Sequence, residues 1–353
     1  MIVDAHLDMA FNALDEGRNL LFNLADLREY EKKKDRPLGV ATTTFPELRK
    51  GNVGLIFGTI FLEPWKKSGM LSKKMFYRDT EEAYAHGIEQ LDYYRRLADE
   101  NQSIRIVGDV KGLEEVIAGQ EGERPLLGIV PLMEGADPIR DPAELEEWWE
   151  RGLRLIGPSW DDTRYAAGAW RNASYGFTKE GFYLMEVMAD LGFILDVTHL
   201  HEKAVFEALE RYEGQVISTH TNCRALAGHV GMRNLSDKQI RLLGERNGVI
   251  GVVLYNRFLK NGHTKGERKE LVTLDHVVAH IDHICQLLGS ADHVGIGSDF
   301  DGGFGWADIP AEMNSIADLA LIGDKLKERG YGAEDIAKIM GENWVNTLRN
   351  SWR

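Results

Sequence analysis

Along the chain, short apolar runs rich in β-branched residues alternate with longer stretches whose apolar positions recur every three to four residues. That alternation marks a parallel sheet whose strands are joined by crossover helices. The strand-like runs fall at residues 2–4, 53–61, 126–132, 153–156, 193–197, 215–218, 249–254 and 293–296. Helical periodicity fills 79–100, 142–151, 178–191, 202–210, 236–246, 273–288, 318–329 and 334–348. Eight such strands predict a single (β/α)8 TIM barrel rather than an open sheet, with 104–107 as a candidate ninth strand. No Ser/Gly/Pro-rich linker, repeat or low-complexity tract divides the pattern, so residues 1–353 read as one domain.

Composition narrows the classes of function. Apolar residues make up 43% and charged residues 28% of the chain, enough for a large core and a solvated surface and contrary to wholesale disorder. The net charge of −14 opposes a nucleic-acid or anionic-membrane partner, since phosphate binding needs clustered Lys and Arg. The short basic groups Lys32, Lys33, Lys34 and Lys73, Lys74 sit among acids and read as solvated loop charge. No window approaches 18 uninterrupted apolar residues, and the opening MIVDAHLDMAF lacks the marks of a signal peptide. The expectation is a cytoplasmic protein with two reduced thiols, Cys223 and Cys285.

The polar residues carry the chemistry. Five predicted strands run into groups that bind metals or move protons. These are Asp4-Ala-His6-Leu-Asp8, Glu134-Gly135, Asp196-Val-Thr-His199, Ser218-Thr-His220 and Gly297-Ser-Asp299-Phe-Asp301-Gly. In a barrel the C-terminal strand ends converge on one face, where catalytic groups lie. Strand alternation puts His6 and Asp8 on one side. His6, Asp8, Glu134, His199, His220 and Asp299 are donors enough for two divalent ions bridged by a carboxylate. Asp301-Gly302 and Asp137-Pro138 also suit plain turns. A competing trio, His276, His280 and His283, recurs at helical spacing, but on a helix expected outside the barrel, with Asp275 and Asp282 near to satisfy it. His201 reads as the start of a helix, and His86, His229 and His263 as surface or loop residues.

The ordered motifs resemble those of the renal (membrane) dipeptidases, peptidase family M19 of the amidohydrolase superfamily, over nearly the whole chain. The first motif is His-x-Asp where most of the superfamily has His-x-His. With no lysine in 153–156 to bridge the metals, Glu134 takes that place. The resemblance implies a metallo-dipeptidase of small peptides with a free C-terminal carboxylate, holding two divalent ions, zinc foremost. His6 and Asp8 would bind one ion, His199 and His220 the other, and Glu134 both. Asp299 resembles the proton-transferring aspartate that serves hydroxide attack on the amide. Arg233 resembles the arginine that holds the substrate carboxylate, and Tyr255 the pocket tyrosine. The family also implies tolerance of a C-terminal D-residue and a homodimer. Trp160 stands where the family has a carbonyl-polarising histidine, so the donor is expected from Trp160 or a neighbour such as Arg164. That change leaves a second reading, another small amide or ester such as an N-acyl amino acid, lactam or lactone.

Overall fold

The computed structural model describes residues 1–32, 39–65, 74–122, 125–170, 173–227 and 232–352. Lys33, Lys34, Lys73 and His229, singled out above, lie outside the described residues. Strands β1 (Ile2–Leu7), β2 (Val53–Phe61), β3 (Leu127–Glu134) and β4 (Leu155–Gly157) pair in parallel in that order. They continue through β5 (Ile194–Asp196), β6 (Val216–Thr221), β7 (Ile250–Val252) and β8 (Val294–Ile296), and β8 pairs with β1 to shut the ring. This is the predicted eight-stranded parallel barrel, with helices between the strands.

The ninth strand exists, as Ile104–Ile106, but stands outside the ring. It pairs with Leu127–Ile129 on the edge of β3 that β4 occupies farther along, at Leu132–Glu134. Three predicted strands prove longer at their C-terminal ends: His6, Glu134 and His220 are strand residues, not the first residues of loops. Polar side chains end an apolar run in the sequence, yet in a barrel the interior mouth accepts them.

Alternation along the strands divides the apolar residues into two layers. Leu55, Phe57, Val130, Leu132, Leu155, Ile194 and Ile217 pack together in the barrel interior with Val3 and Ala5. Their neighbours Ile56, Ile129, Met133, Ile156 and Leu195 pack instead with the surrounding helices. The long helices begin where side chains cap free amides: Asp79 accepts from Glu82 N, Thr178 from Gly181 N, and Ser236 forms a capping box with Gln239. Helices Met9–Leu14, Leu24–Glu31, Phe45–Lys50 and Val110–Ala118 are too short for periodicity to reveal and were not expected.

The last helix, expected as one piece over 334–348, is interrupted. Ala333–Ala337 passes through a wide π turn, Lys338–Glu342, into Asn343–Ser351. The cause is a close approach, because a Cβ on Gly341 would sit 2.8 Å from the Met1 carbonyl oxygen. Past the interruption, Trp344 packs edge-on against Phe57 at 5.4 Å and donates to Ile296 O at 3.1 Å. The end of the barrel opposite the polar strand ends is thereby filled with apolar side chains. Among the described residues no helix is long and apolar enough to cross a membrane.

Candidate active site

Simple alternation would turn His6 and His220 the wrong way. Val3 and Ala5 face the interior, so the next inward position is Leu7, yet Leu7 packs with the outer layer. The pairing of β1 with β2 slips between Asp4 and Leu7, and that of β6 with β7 slips across Thr219 and His220. Each slip is a β-bulge, which re-aims side chains beside it. The expected role of alternation on β1 is therefore corrected: a bulge, followed by the start of helix Met9–Leu14 at Asp8, brings His6 and Asp8 together. At the second bulge the Thr219 carbonyl presses on two glycines. A Cβ at Gly251 or at Gly297 would fall 1.8 Å from that oxygen. Glu134 arrives by plain alternation after Val130 and Leu132. His199 and Asp299 are reached through backbone with φ of 67° and 58°, a region costly for residues other than glycine.

The side chains so aimed converge. His6 Nε2 lies 3.8 Å from Asp8 Oδ1, 3.6 Å from Glu134 Oε2 and 3.8 Å from Asp299 Oδ1. The other oxygen of Glu134, Oε1, lies 2.9 Å from His199 Nε2 and 3.4 Å from His220 Nε2. Three sets result whose donor atoms all lie within 4.8 Å of one another: His6, Asp8, Glu134; Glu134, His199, His220; and His6, His220, Asp299. All six residues are buried.

A surrounding layer of hydrogen bonds orients these groups. Asp196 accepts from Thr219 N and, at 2.5 Å, from Thr219 Oγ1. With its proton so committed, the Thr219 hydroxyl accepts from His220 Nδ1 at 3.0 Å, which leaves the Nε2 lone pair facing inward. Asp4 accepts from Ser298 N and Oγ and ties β1 to β8. Thr59 Oγ1 donates to Asp8. Asp4 and Asp196 are thus supports and not members of the donor sets. Asp301 is likewise a support, accepting from Thr42 and Thr43 amides beside Arg18.

Divalent metal ions fit this donor set. Both ring nitrogens of His6 and Nδ1 of His199 are buried without a hydrogen-bond partner among the described residues, an expensive arrangement unless a ligand completes it. The charges agree. Burial resists charge on His6, but Glu134, Asp8 and Asp299 outweigh it and lift the imidazole to about 10. Burial holds His199 down at about 4, with Arg233 adding to it, and holds His220 well below its usual range. Asp8 is raised to about 6 by burial and by Glu134, while Asp299 is raised well above the carboxylate range by burial, Asp8 and Glu134. Burial alone would raise Glu134 too, but His6 and His199 hold it well below. Crowded carboxylates beside two neutral imidazoles call for added cationic charge.

A cavity of about 270 Å³ opens over Asp8, Glu134, His199 and Asp299. Trp160 and Tyr255 line it. Trp160 stands edge-on to Phe61 at 5.0 Å, and Tyr255 stacks on Phe304 at 4.4 Å. Its remaining walls include Phe11, Trp170 and Phe258, with Arg257 and Lys265. Sequence reasoning missed these five, because isolated aromatics and cations in loops carry no periodic signal. Arg233 does not line the cavity. It is buried beside the donor sets, with Nη2 donating to His220 O at 2.7 Å and Nε and Nη1 unpartnered among the described residues.

Other expectations divide. Arg164 does not line the cavity, and its Nη2 is spent on Ile139 O, Arg140 O and the Tyr165 hydroxyl. His276, His280 and His283 form no metal-binding group among the described residues. Asp275 and Asp282 do not satisfy them; the partners are Thr273, Cys223 N with Leu259 O, and Asp237. His263 lies in a loop, one of the two places expected, but is buried there beside Glu267. His201 does cap helix Glu202–Arg211. Cys223 is buried, with its thiol against His280 O and pushed up by burial, so it is no nucleophile.

The sequence matches the family described as membrane dipeptidase (Peptidase family M19) over residues 1–351. An uncharacterized protein in the pqqA 5′ region of Klebsiella pneumoniae is 32% identical over 241 residues, 65% of this chain and 84% of the relative. An uncharacterized dipeptidase of Schizosaccharomyces pombe is 26% identical over 98% of this chain and 83% of its own. Among solved structures, a metallo peptidase from Rhodobacter sphaeroides, liganded with a phosphinate mimic of the dipeptide L-Ala-D-Ala, superposes with a TM-score of 0.81 at 22% identity, covering 99% of each chain.

Proposed function

Because the chain belongs to the membrane dipeptidase family, Peptidase family M19, whose members are metal-dependent hydrolases of peptide bonds, we propose that it is a two-metal dipeptidase acting as one (β/α)8 domain over residues 1–353. The observation that carries this reading is the division of Glu134, one oxygen toward His6 and Asp8 and the other toward His199 and His220. His6, Asp8 and Glu134 would hold one ion and Glu134, His199 and His220 the other, with zinc suiting the mixed nitrogen and oxygen donors. When bound, the ions supply Lewis-acid activation of water and of the scissile carbonyl.

The chain's own groups do the rest. Asp299, lining the cavity with Oδ1 3.8 Å from His6 Nε2, takes the proton of the attacking water and hands it to the leaving amine. Arg233, buried behind the cavity lining with Nη2 anchored on His220 O and with Nε and Nη1 unpartnered among the described residues, reads the substrate's terminal carboxylate. Tyr255 and Trp160 wall the bound dipeptide, and the indole N–H serves as the carbonyl's donor in place of a histidine. A C-terminal residue of either configuration is accepted, which the L-Ala-D-Ala mimic in the Rhodobacter sphaeroides relative supports. The second reading, an N-acyl amino acid, lactam or lactone, is not favoured by the comparisons.

Metal analysis combined with a panel of L,L- and L,D-dipeptides tests the proposal. About two ions per chain and cleavage abolished by a chelator are expected. Failure to take up metal after reconstitution would overturn it.

A further inference from the structure

Arg257 and Lys265 line the same cavity as Asp299 and Glu134, yet the Proposed function gives them no task. Both are exposed at its rim, on the segment that follows β7. Neither has a carboxylate within ion-pairing distance among the described residues, although the chain carries 56 acids against 42 Lys and Arg. Lys260 and Lys269 on the same segment also lack a carboxylate partner among the described residues but donate to the Leu271 and Trp306 carbonyls at 3.1 and 3.0 Å, whereas Arg268 lies 3.5 Å from Glu270. Two cations with no carboxylate partner among the described residues thus line one opening in a chain of net charge −14.

The rest of the lining makes that pair selective. Tyr255, Phe258 and Phe304 pack around the same rim, by stacked and edge-on contacts of 4.4 and 4.9 Å. Aromatic walls give the apolar part of a bound dipeptide a surface to pack on beside the two exposed cations. The buried Arg233 is already committed to the terminal carboxylate, so a single carboxylate does not use all three cations. Metal-site acids on the cavity floor repel a second carboxylate, whereas the rim attracts it.

We propose that Arg257 and Lys265 select dipeptides bearing an acidic side chain, holding that side-chain carboxylate at the rim while the peptide bond lies over Asp299. The inference rests on the dipeptidase reading and names its substrate class.

The test compares isosteric pairs on the zinc-loaded full chain: Leu-Glu against Leu-Gln, and Glu-Leu against Gln-Leu. The acidic member is expected to win by about tenfold in kcat/KM at one position, the scale of two partly exposed charge contacts. In the Arg257→Gln/Lys265→Gln double variant the ratio should fall to about one, and raised salt should shrink it in the wild type. Calorimetric titration of the Asp299→Asn protein with the same peptides reads the preference as a Kd ratio without turnover. Ratios near one at both positions, or a ratio the double variant retains, would overturn the proposal and leave the dipeptidase reading intact. No cleavage of any of the four peptides would sink the dipeptidase reading, and this inference with it.

Discussion

Two sets of three histidines show what makes a site in this molecule. His276, His280 and His283 sit at helical spacing within ten residues, whereas His6 and His220 come from strands β1 and β6 and His199 from the turn after β5. The compact set is inert. Each ring in it has found its own partner, His280 between Cys223 N and Leu259 O and His283 on Asp237. The dispersed set converges, with His6 and His220 ring centres 3.6 Å apart and His199 and His220 Nε2 atoms 2.9 Å apart. Spacing along one helix brings side chains near each other, but helix packing then satisfies them separately. Convergence at a barrel mouth crowds them around one point, where only a common ligand can serve them all.

Breaking the convergence should have the largest effect. In Gly251→Ala the new methyl would collide with the Thr219 carbonyl and push His220 off its aim. Metal affinity should drop at least about 100-fold, measured by metal content after dialysis, with a melting curve to separate local from global damage. Asp299→Asn leaves both ligand sets built around Glu134 in place, so metal should stay bound while kcat falls about 10²–10⁴-fold. Near-normal turnover would remove Asp299 from proton transfer. Smaller again is Arg233→Met, which should cost about 10–100-fold in kcat/KM for dipeptides, expressed mainly in KM, and little for carboxyl-amidated analogues.

The smallest expected effect sharpens the contrast from the other side. His280→Ala should leave metal content and activity alone and lower stability by about 2 kcal/mol, since it orphans the Cys223 amide and the Leu259 carbonyl. It also changes the pH dependence. Burial holds His280 at about 4 in the fold, below the ordinary 6.5, so between these values the unfolded chain binds more protons. Wild-type stability therefore falls as pH drops through that window, at up to about 1.4 kcal/mol per unit. Denaturant titrations from pH 7 to 4 should show the variant lacking this component. A slope identical to wild type would mean His280 already titrates normally in the fold.

Much of this was legible in one dimension. Apolar runs such as 53–61 and 126–132, separated by amphipathic stretches, declared eight parallel strands because each strand buries both faces and each crossover helix only one. Donor residues at five strand ends marked the functional face, since barrel geometry collects those ends whatever the details. The final helix was misjudged because its periodicity runs straight through Gly341, and only the approach of the Met1 carbonyl forces the turn there. Arg164 was misjudged because sequence proximity to Trp160 says nothing of direction.

By itself, then, the sequence determined the barrel and the donor inventory, because the order of apolar runs and amphipathic stretches is a property of the chain that survives folding unchanged. Only the tertiary structure decided that His6 and His220 face inward. Their aim depends on register slips between strands and on Gly251 and Gly297 leaving room for the Thr219 carbonyl. It decided, too, that Arg257 and Lys265 share an opening with the acids, because which loops meet above a barrel is set by how distant strands close the ring.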